Sequence, residues 1–224
     1  MLRRYFVANW KSHMLLPDVD SYLSSLKENI STVNLEENVF VICPGFTLLD
    51  FVSKKIVELE IPVQVGAQNI SEFGAGAYTG EVFGEQIKEF ATHVIIGHSE
   101  RKRYSKETDE QVLKKAEQAQ KSGLTIIQCV QDENSIISDF ADIIAYEPPS
   151  AISTFGTGVP DDPGDVERVL SIINQKRPGK VLLYGGSVNH ETIKMYDKIE
   201  NCSGFLVGSA SLDAPTFLSL STAC

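Results

Sequence analysis

Residues 93–101 read His93-Val94-Ile95-Ile96-Gly97-His98-Ser99-Glu100-Arg101. The run Val94-Ile95-Ile96 is apolar without alternation, so a strand there is buried on both faces, as in a parallel sheet covered by helices. Polar, chemically capable side chains follow at once, after a glycine. In a parallel α/β fold the carboxyl ends of the strands carry the chemistry, so this stretch proposes both an architecture and the place to search.

Working outward, short β-rich apolar runs recur along the chain, most followed by a longer segment of helical periodicity. They are Tyr5–Trp10, Val39–Cys43, Val63–Ala67, His93–Gly97, Leu124–Cys129, Asp142–Tyr146, Val181–Tyr184 and Gly204–Val207. Eight runs in 224 residues leave enough chain per unit for a strand, a helix and two short loops. Helical patterns are clearest over Val19–Ile30, Thr47–Leu59, Glu107–Ser122 and Asp165–Gln175. Pro17-Asp18 and Pro163-Gly164-Asp165 supply start signals, and Gly123 closes the helix beginning near Thr108. The segment between Cys129 and Asp142 is short, so a fifth helix of only about two turns is expected there. No linker, low-complexity tract or charge block divides the chain. The reading is a single domain over residues 1–224, a closed (β/α)8 barrel of eight parallel strands ringed by helices with a shortened fifth unit; an open doubly wound sheet is the alternative.

Composition narrows the functional classes. Lys plus Arg number 20 against 30 Asp plus Glu, a net charge of −10. A nucleic-acid platform or a binder of anionic membranes would carry the opposite sign. No run approaches a membrane span, and the N-terminus shows no signal-peptide core, so a cytoplasmic protein is expected. Cys43, Cys129, Cys202 and Cys224 lie far apart, with no Cys-x-x-Cys pair and only four histidines, so reduced thiols are expected rather than a zinc site or a disulfide framework.

The strand ends are rich in functional types: Asn9-Trp10-Lys11, Gln68-Asn69, Gly97-His98-Ser99-Glu100-Arg101, Glu147-Pro148-Pro149, Gly185-Gly186-Ser187 and Gly208-Ser209-Ala210. Taken singly each has an ordinary explanation. Lys11 reads as a solvated loop lysine, His98 as a cap, Glu147 as a turn residue and Gly185-Gly186-Ser187 as a tight connection. Four independent loops carrying such residues at one end of a barrel argue for a shared site. Glycine lets backbone N–H groups approach an anion, and a following helix N-terminus adds partial positive charge. Gly185-Gly186-Ser187 and Gly208-Ser209 therefore form a candidate phosphate seat, in the loops after strands seven and eight where barrel enzymes hold phosphate. Local donors supplemented by Lys11 let an acidic protein bind an anion. Ser99 lacks the second glycine of a nucleophile elbow and reads as a helix cap. No dinucleotide fingerprint or P-loop occurs.

The motifs resemble, in order and over essentially the whole chain, those of the triosephosphate isomerase family. The matching stretches are Asn9-Trp10-Lys11, Gly66-Ala67-Gln68-Asn69, Tyr78-Thr79-Gly80-Glu81, Gly97-His98-Ser99-Glu100-Arg101, Ala145-Tyr146-Glu147-Pro148, Gly156-Thr157-Gly158, Tyr184-Gly185-Gly186-Ser187-Val188 and Gly204-Phe205-Leu206-Val207-Gly208. The resemblance implies a TIM barrel that interconverts dihydroxyacetone phosphate and D-glyceraldehyde 3-phosphate in glycolysis and gluconeogenesis, with no metal and no organic cofactor. It implies Glu147 as the base and His98 as the neutral electrophile, the family's own established pairing. It further implies that Lys11 and Asn9 stabilise the enediolate, that Glu100 supports Lys11 or handles protons, and that Gly156, Gly186, Ser187, Gly208 and Ser209 hold the phosphate. The partners implied are a small triose phosphate and a second copy of the chain, with no nucleic acid and no membrane. Loop Ser71–Glu81 would dock in a homodimer, with Thr79 reaching the partner's site; a tetramer is the second choice.

Three departures from the family pattern bear on these expectations. Ser153-Thr154-Phe155 reads as an insertion in the lid, Ser150 replaces the usual aromatic, and Phe155 is expected to supply the missing apolar cover. Ser209 stands where a second glycine is common, which requires a φ open to serine. Val130-Gln131-Asp132 lacks the usual Gly-Glu ahead of the truncated fifth unit. Two competing readings remain: a barrel acting on another phosphorylated ketose, and a non-catalytic paralogue that binds a partner or a phosphate metabolite.

Overall fold

Strands form where both faces of the chain are apolar, and their alternation sorts one set of side chains inward and the other outward. The structure, a computed structural model, describes residues 3–148 and 161–224. Its strands are β1 (Arg4–Asn9), β2 (Asn38–Cys43), β3 (Gln64–Ala67), β4 (His93–Ile96), β5 (Thr125–Val130), β6 (Ile143–Tyr146), β7 (Val181–Tyr184) and β8 (Gly204–Val207). All neighbours are parallel and the order β1-β2-β3-β4-β5-β6-β7-β8 closes on itself, with Val7 level with Val41 on one side and Leu206 on the other. The barrel alternative is therefore the one realised, and the open sheet is not.

Val7, Val41, Ile95, Ile127, Ile143, Leu183 and Leu206 pack as one cluster inside the barrel. Their neighbours Phe6, Phe40, Val94, Ile126, Ile144 and Phe205 point outward, to the helical layer. Phe40 links the layers: its ring stacks on Phe6 at 5.4 Å and meets Phe217 edge-on at 5.6 Å. Each such buried side chain contributes roughly 1.5–3 kcal/mol relative to exposure.

The helices are α1 (Leu16–Asn29), α2 (Phe46–Glu58), α3 (Gly84–Lys88), α4 (Ser99–Tyr104), α5 (Asp109–Lys121), α6 (Pro163–Lys176) and α7 (Ala214–Thr222). Their starts follow the capping chemistry of the sequence. Asp18 accepts the Leu15 N–H at 2.8 Å, Thr108 and Gln111 form a reciprocal capping box, and Asp162 accepts the Gly164 N–H at 2.9 Å ahead of α6. Gly123, at φ 68°, ends the α5 segment in a conformation that favours glycine.

Two parts of the expected helical ring differ. No two-turn fifth helix forms among residues 131–142; the segment is a chain of turns. Its polar side chains bond the backbone locally: Asp132 accepts the Asn134 N–H at 2.8 Å and Ser135 Oγ accepts the Gln131 N–H at 3.1 Å. Gln128 and Arg177 take the carbonyls of Ile136 and Ile137 at 2.7 Å each. Such side-chain bonds compete directly with a helix. After β7 and β8 the chain makes only 3-10 turns, Thr192–Met195 and Ser209–Ser211, before α7. The continuous helix pattern read over Glu107–Ser122 begins later, because Glu107 turns inward instead and is held by Arg101 and Lys115. No helix among the described residues is long and apolar enough to cross a membrane, and the four cysteines are free.

His93 sits at the start of β4, 4% exposed, with its Nδ1 2.8 Å from Thr92 Oγ1. Burial pushes its pKa down to about 4. A histidine with a lower pKa folded than unfolded binds protons more readily in the unfolded chain. Stability is therefore full above the unfolded pKa of about 6.5 and is lost as pH falls from there toward 4. His93→Gln is expected to remove about 2.5 kcal/mol of the stability difference between pH 7 and pH 4.5, measured by urea denaturation at the two pH values. An unchanged difference would place the acid sensitivity elsewhere.

Candidate active site

At the end of β1 the backbone turns sharply: Lys11 has φ 51°, a left-handed conformation that lysine rarely adopts. Two side chains hold it there. The Lys11 N–H donates to Asn9 Oδ1 at 3.0 Å, and Gln68 Nε2 donates to the Lys11 carbonyl at 2.8 Å and to the Cys43 carbonyl at 2.9 Å. Gln68 thus fastens the β1 loop to the ends of β2 and β3. The lysine is aimed by its partners: Nζ lies 2.8 Å from Glu100 Oε1, and a Cβ placed on Gly208 would come 3.4 Å from Lys11 Cε. That separation is ordinary van der Waals contact, so the lysine lies directly against the end of β8.

Across the mouth, β4 delivers His98 and β6 delivers Glu147. Gly97, at φ 68°, makes the turn that presents His98. His98 rather than Ser99 caps α4, its Nδ1 accepting the Glu100 N–H at 3.2 Å. With Nδ1 used as an acceptor, the proton of the neutral ring lies on Nε2, which faces Glu147 Oε1 at 2.9 Å. The other carboxylate oxygen accepts the Ser99 N–H at 3.0 Å. Both residues are nearly inaccessible, His98 at 5% and Glu147 at 2%. Burial alone would hold the imidazole neutral and raise the carboxyl. Their mutual contact reverses both directions, so the histidine lies above its ordinary pKa and the glutamate below. The Cys129 thiol and the Ser99 N–H add to the depression at Glu147, while burial and the same carboxylate push the thiol up.

The glycine turns border these groups. A Cβ on Gly185 would come 2.9 Å from Glu147 Cγ and 3.2 Å from the Tyr146 carbonyl, so only glycine leaves room for the carboxylate. Gly186 folds over Tyr184, whose hydroxyl a Cβ there would strike. Ser209 opens a 3-10 turn outside the positive-φ region, which is why serine is tolerated there. Because both turns lead into 3-10 segments rather than longer helices, little helix dipole is available, and the donors on offer are the backbone N–H groups themselves. Between the β1, β3 and β4 loops lies a cavity of about 250 Å³, lined by Asn9, Lys11, Gln68, Asn69, His98 and Glu100 among others.

The structure therefore brings Asn9, Lys11, His98, Glu100 and Glu147 to one mouth, with Gly208 beside Lys11 and Gly186 at the end of β7. Gly156, Ser150 and the Ser153-Thr154-Phe155 insertion lie outside the described residues. The linking role of Gln68 and the contact of Cys129 with Glu147 were not legible in the sequence; both join residues far apart in the chain. A second layer supports α4: Glu107 accepts Arg101 Nε at 2.8 Å and pairs with Lys115, which also reaches Asn69 Oδ1 at 2.8 Å. No group of three or more His, Cys, Asp or Glu among the described residues is placed to hold a metal ion.

A closed parallel barrel with such groups gathered at the carboxyl ends of its strands is the architecture of a (β/α)8 barrel enzyme. Comparison with known proteins gives its kind. The triosephosphate isomerase family model matches residues 4–224. The triosephosphate isomerase of Trichodesmium erythraeum is 35% identical over 240 aligned positions, covering 97% of each chain. That of Mesomycoplasma hyopneumoniae strain 232 is 31% identical, covering 96% of this chain and 97% of its own. The crystal structure of triosephosphate isomerase from Bartonella henselae superposes with a TM-score of 0.82 at 29% identity, over 99% of this chain and 98% of that one. The chain belongs to the triosephosphate isomerase family, and it is an isomerase.

Proposed function

We propose that the barrel, residues 1–224, interconverts dihydroxyacetone phosphate and D-glyceraldehyde 3-phosphate through an enediolate. Glu147 moves the proton between the adjacent carbons, and His98 polarises the carbonyl oxygen and exchanges protons with it. Lys11 and Asn9 stabilise the negative oxygen, and Glu100 orients Lys11. The phosphate rests on the backbone of Gly186, Ser187, Gly208 and Ser209. Gly156 is assigned to the phosphate on the family resemblance alone.

The observation that carries this reading is the His98 Nε2 to Glu147 Oε1 contact of 2.9 Å. The carboxylate occupies the donor that the substrate oxygen requires, so substrate must displace it. Withdrawn from His98, Ser99 and Cys129, Glu147 loses the bonds that depress its pKa and becomes the stronger base in a site of low polarity. The same displacement removes the larger of the two carboxylate pulls that raise His98, and leaves that of Glu100 opposed by Lys11. Burial and the Glu100 N–H on Nδ1 then keep the imidazole neutral, able to donate from Nε2 without carrying charge.

The test is conversion of D-glyceraldehyde 3-phosphate to dihydroxyacetone phosphate by the purified protein, coupled to a dehydrogenase, with inorganic phosphate as a competitive inhibitor. Rapid conversion with competitive inhibition is expected. No conversion by folded protein would bring forward another phosphorylated ketose or the non-catalytic reading.

For the assembly, we propose a homodimer through Ser71–Glu81. This loop is closed at its base by the Ser71 N–H to Val82 carbonyl bond at 2.9 Å and tied to α5 by Gln111 on Glu72 at 2.7 Å. It presents Phe73 and Tyr78, stacked at 4.3 Å and 39% and 46% exposed in the single chain. A preformed pair of exposed aromatic rings is suited to burial against a partner. Light scattering at micromolar concentration is expected to give twice the chain mass; four times would indicate the tetramer, and a single-chain mass would contradict both. Action on a soluble glycolytic substrate is consistent with a cytoplasmic setting.

A further inference from the structure

Two buried tyrosines meet behind the phosphate turn. Tyr184 ends β7, and Tyr196 follows the 3-10 turn Thr192–Met195; both are fully buried, with ring centroids 4.2 Å apart. Their hydroxyls close a cycle on the backbone of a third residue. The Asp161 N–H donates to Tyr184 Oη at 3.4 Å, Tyr184 donates to Tyr196 Oη at 3.4 Å, and Tyr196 donates to the Asp161 carbonyl at 2.7 Å. Burial pushes both phenols above their ordinary pKa, so both remain neutral donors.

Packing alone does not account for the hydroxyl at position 196. A phenylalanine would fill the same apolar space without burying a polar group that must find a partner. What the hydroxyl adds is a link. On one side it fixes Asp161, the residue before the N-cap of α6. On the other it meets Tyr184, whose hydroxyl lies where a Cβ of Gly186 would fall, so the phosphate turn lies directly against it. The cycle is cooperative in form, each hydroxyl donating and accepting once.

We infer that Tyr196 is a positioning residue for the phosphate seat. Its hydroxyl holds Tyr184 and Asp161 in one arrangement and, through Tyr184, sets the backbone of Gly186. The inference rests on the assignment of Gly186 and Ser187 to the substrate phosphate. It makes no claim on Glu147 or His98, so the chemical step itself is untouched by the link.

The experiment compares the full-length protein with Tyr196→Phe, Tyr184→Phe and the double variant. The readouts are kcat, KM for D-glyceraldehyde 3-phosphate, the competitive inhibition constant of inorganic phosphate, and phosphate affinity by calorimetry. Ile56→Val in α2, far from the site, serves as a destabilised control. Tyr196→Phe is expected to raise KM and the phosphate constant together by about three- to tenfold, the worth of one buried hydrogen bond, while kcat changes less than twofold. The double variant should be no worse than about the larger single effect, because one cycle is broken in each case. The control should lower thermal stability and leave both constants alone. Unchanged KM and phosphate affinity in Tyr196→Phe would overturn the inference and leave the hydroxyl a purely structural bond, as would additive effects of the two tyrosines. If Tyr196→Phe does not fold, Tyr184→Phe decides by the same readouts. An inactive wild-type protein would refute the isomerase reading instead, and calorimetry with inorganic phosphate would still judge the link.

Discussion

Replacing Glu147 by glutamine is expected to lower kcat by on the order of 10²–10⁴ while KM stays within a fewfold, because the variant removes proton transfer and little else. The geometry makes the substitution clean. Glutamine has the shape of glutamate and fits the space that Gly185 leaves beside the side chain. Its carbonyl oxygen can still accept from either Ser99 N–H or His98 Nε2, the two donors now shared by the carboxylate at 3.0 and 2.9 Å. The fold should therefore survive, read by circular dichroism, and the loss should appear in turnover. A variant retaining more than a tenth of the wild-type kcat would remove Glu147 from the role of base.

The second large effect is expected at Lys11. Lys11→Met should lower kcat/KM by on the order of 10²–10³, comparable to the removal of one preorganised donor from a developing oxyanion. The loop should stay in place, because its strained backbone is held through Asn9 and Gln68 and not through the side chain. Methionine keeps most of the apolar stem but withdraws the ammonium both from Glu100 and from an anionic substrate. Inhibition by inorganic phosphate should accordingly weaken along with turnover. A loss below tenfold, with phosphate inhibition intact, would assign Lys11 to structure.

The barrel and the position of its site were legible because both rest on local signals. Runs such as Val94-Ile95-Ile96 declare a two-faced buried strand by composition alone, and a polar cluster directly after the run marks the carboxyl end. The eight strand positions follow from that pattern, with boundaries displaced by a residue or so. Helix starts with an Asp, Thr or Pro signal, at α1, α5 and α6, were equally readable.

What was not legible depends on partners distant in sequence. Residues 131–142 have room for two helical turns, but Gln128 before the segment and Arg177 in the following unit claim its carbonyls, and no local rule forecasts that competition. Gln68 and Cys129 look like ordinary strand-end and strand residues until β1, β2, β3, β5 and β6 are brought side by side. Tyr196 is an unremarked aromatic until Asp161, 35 residues earlier, is placed against it. In each case the residue type was visible, and its partner was set by the closure of the barrel.

In the reaction we propose, a carboxylate and a neutral imidazole carry the isomerisation by moving a proton through an enediolate. Conversion of dihydroxyacetone phosphate in D₂O tests it most directly, with the product read by NMR. A proton taken up by Glu147 is open to exchange before its return, so solvent deuterium is expected on the carbon next to the aldehyde, and product should form slower by on the order of 10²–10⁴ with Glu147→Gln. Rapid turnover by Glu147→Gln, giving product without solvent deuterium, would mean that hydrogen passes directly between the carbons without this base, and would contradict proton transfer by Glu147.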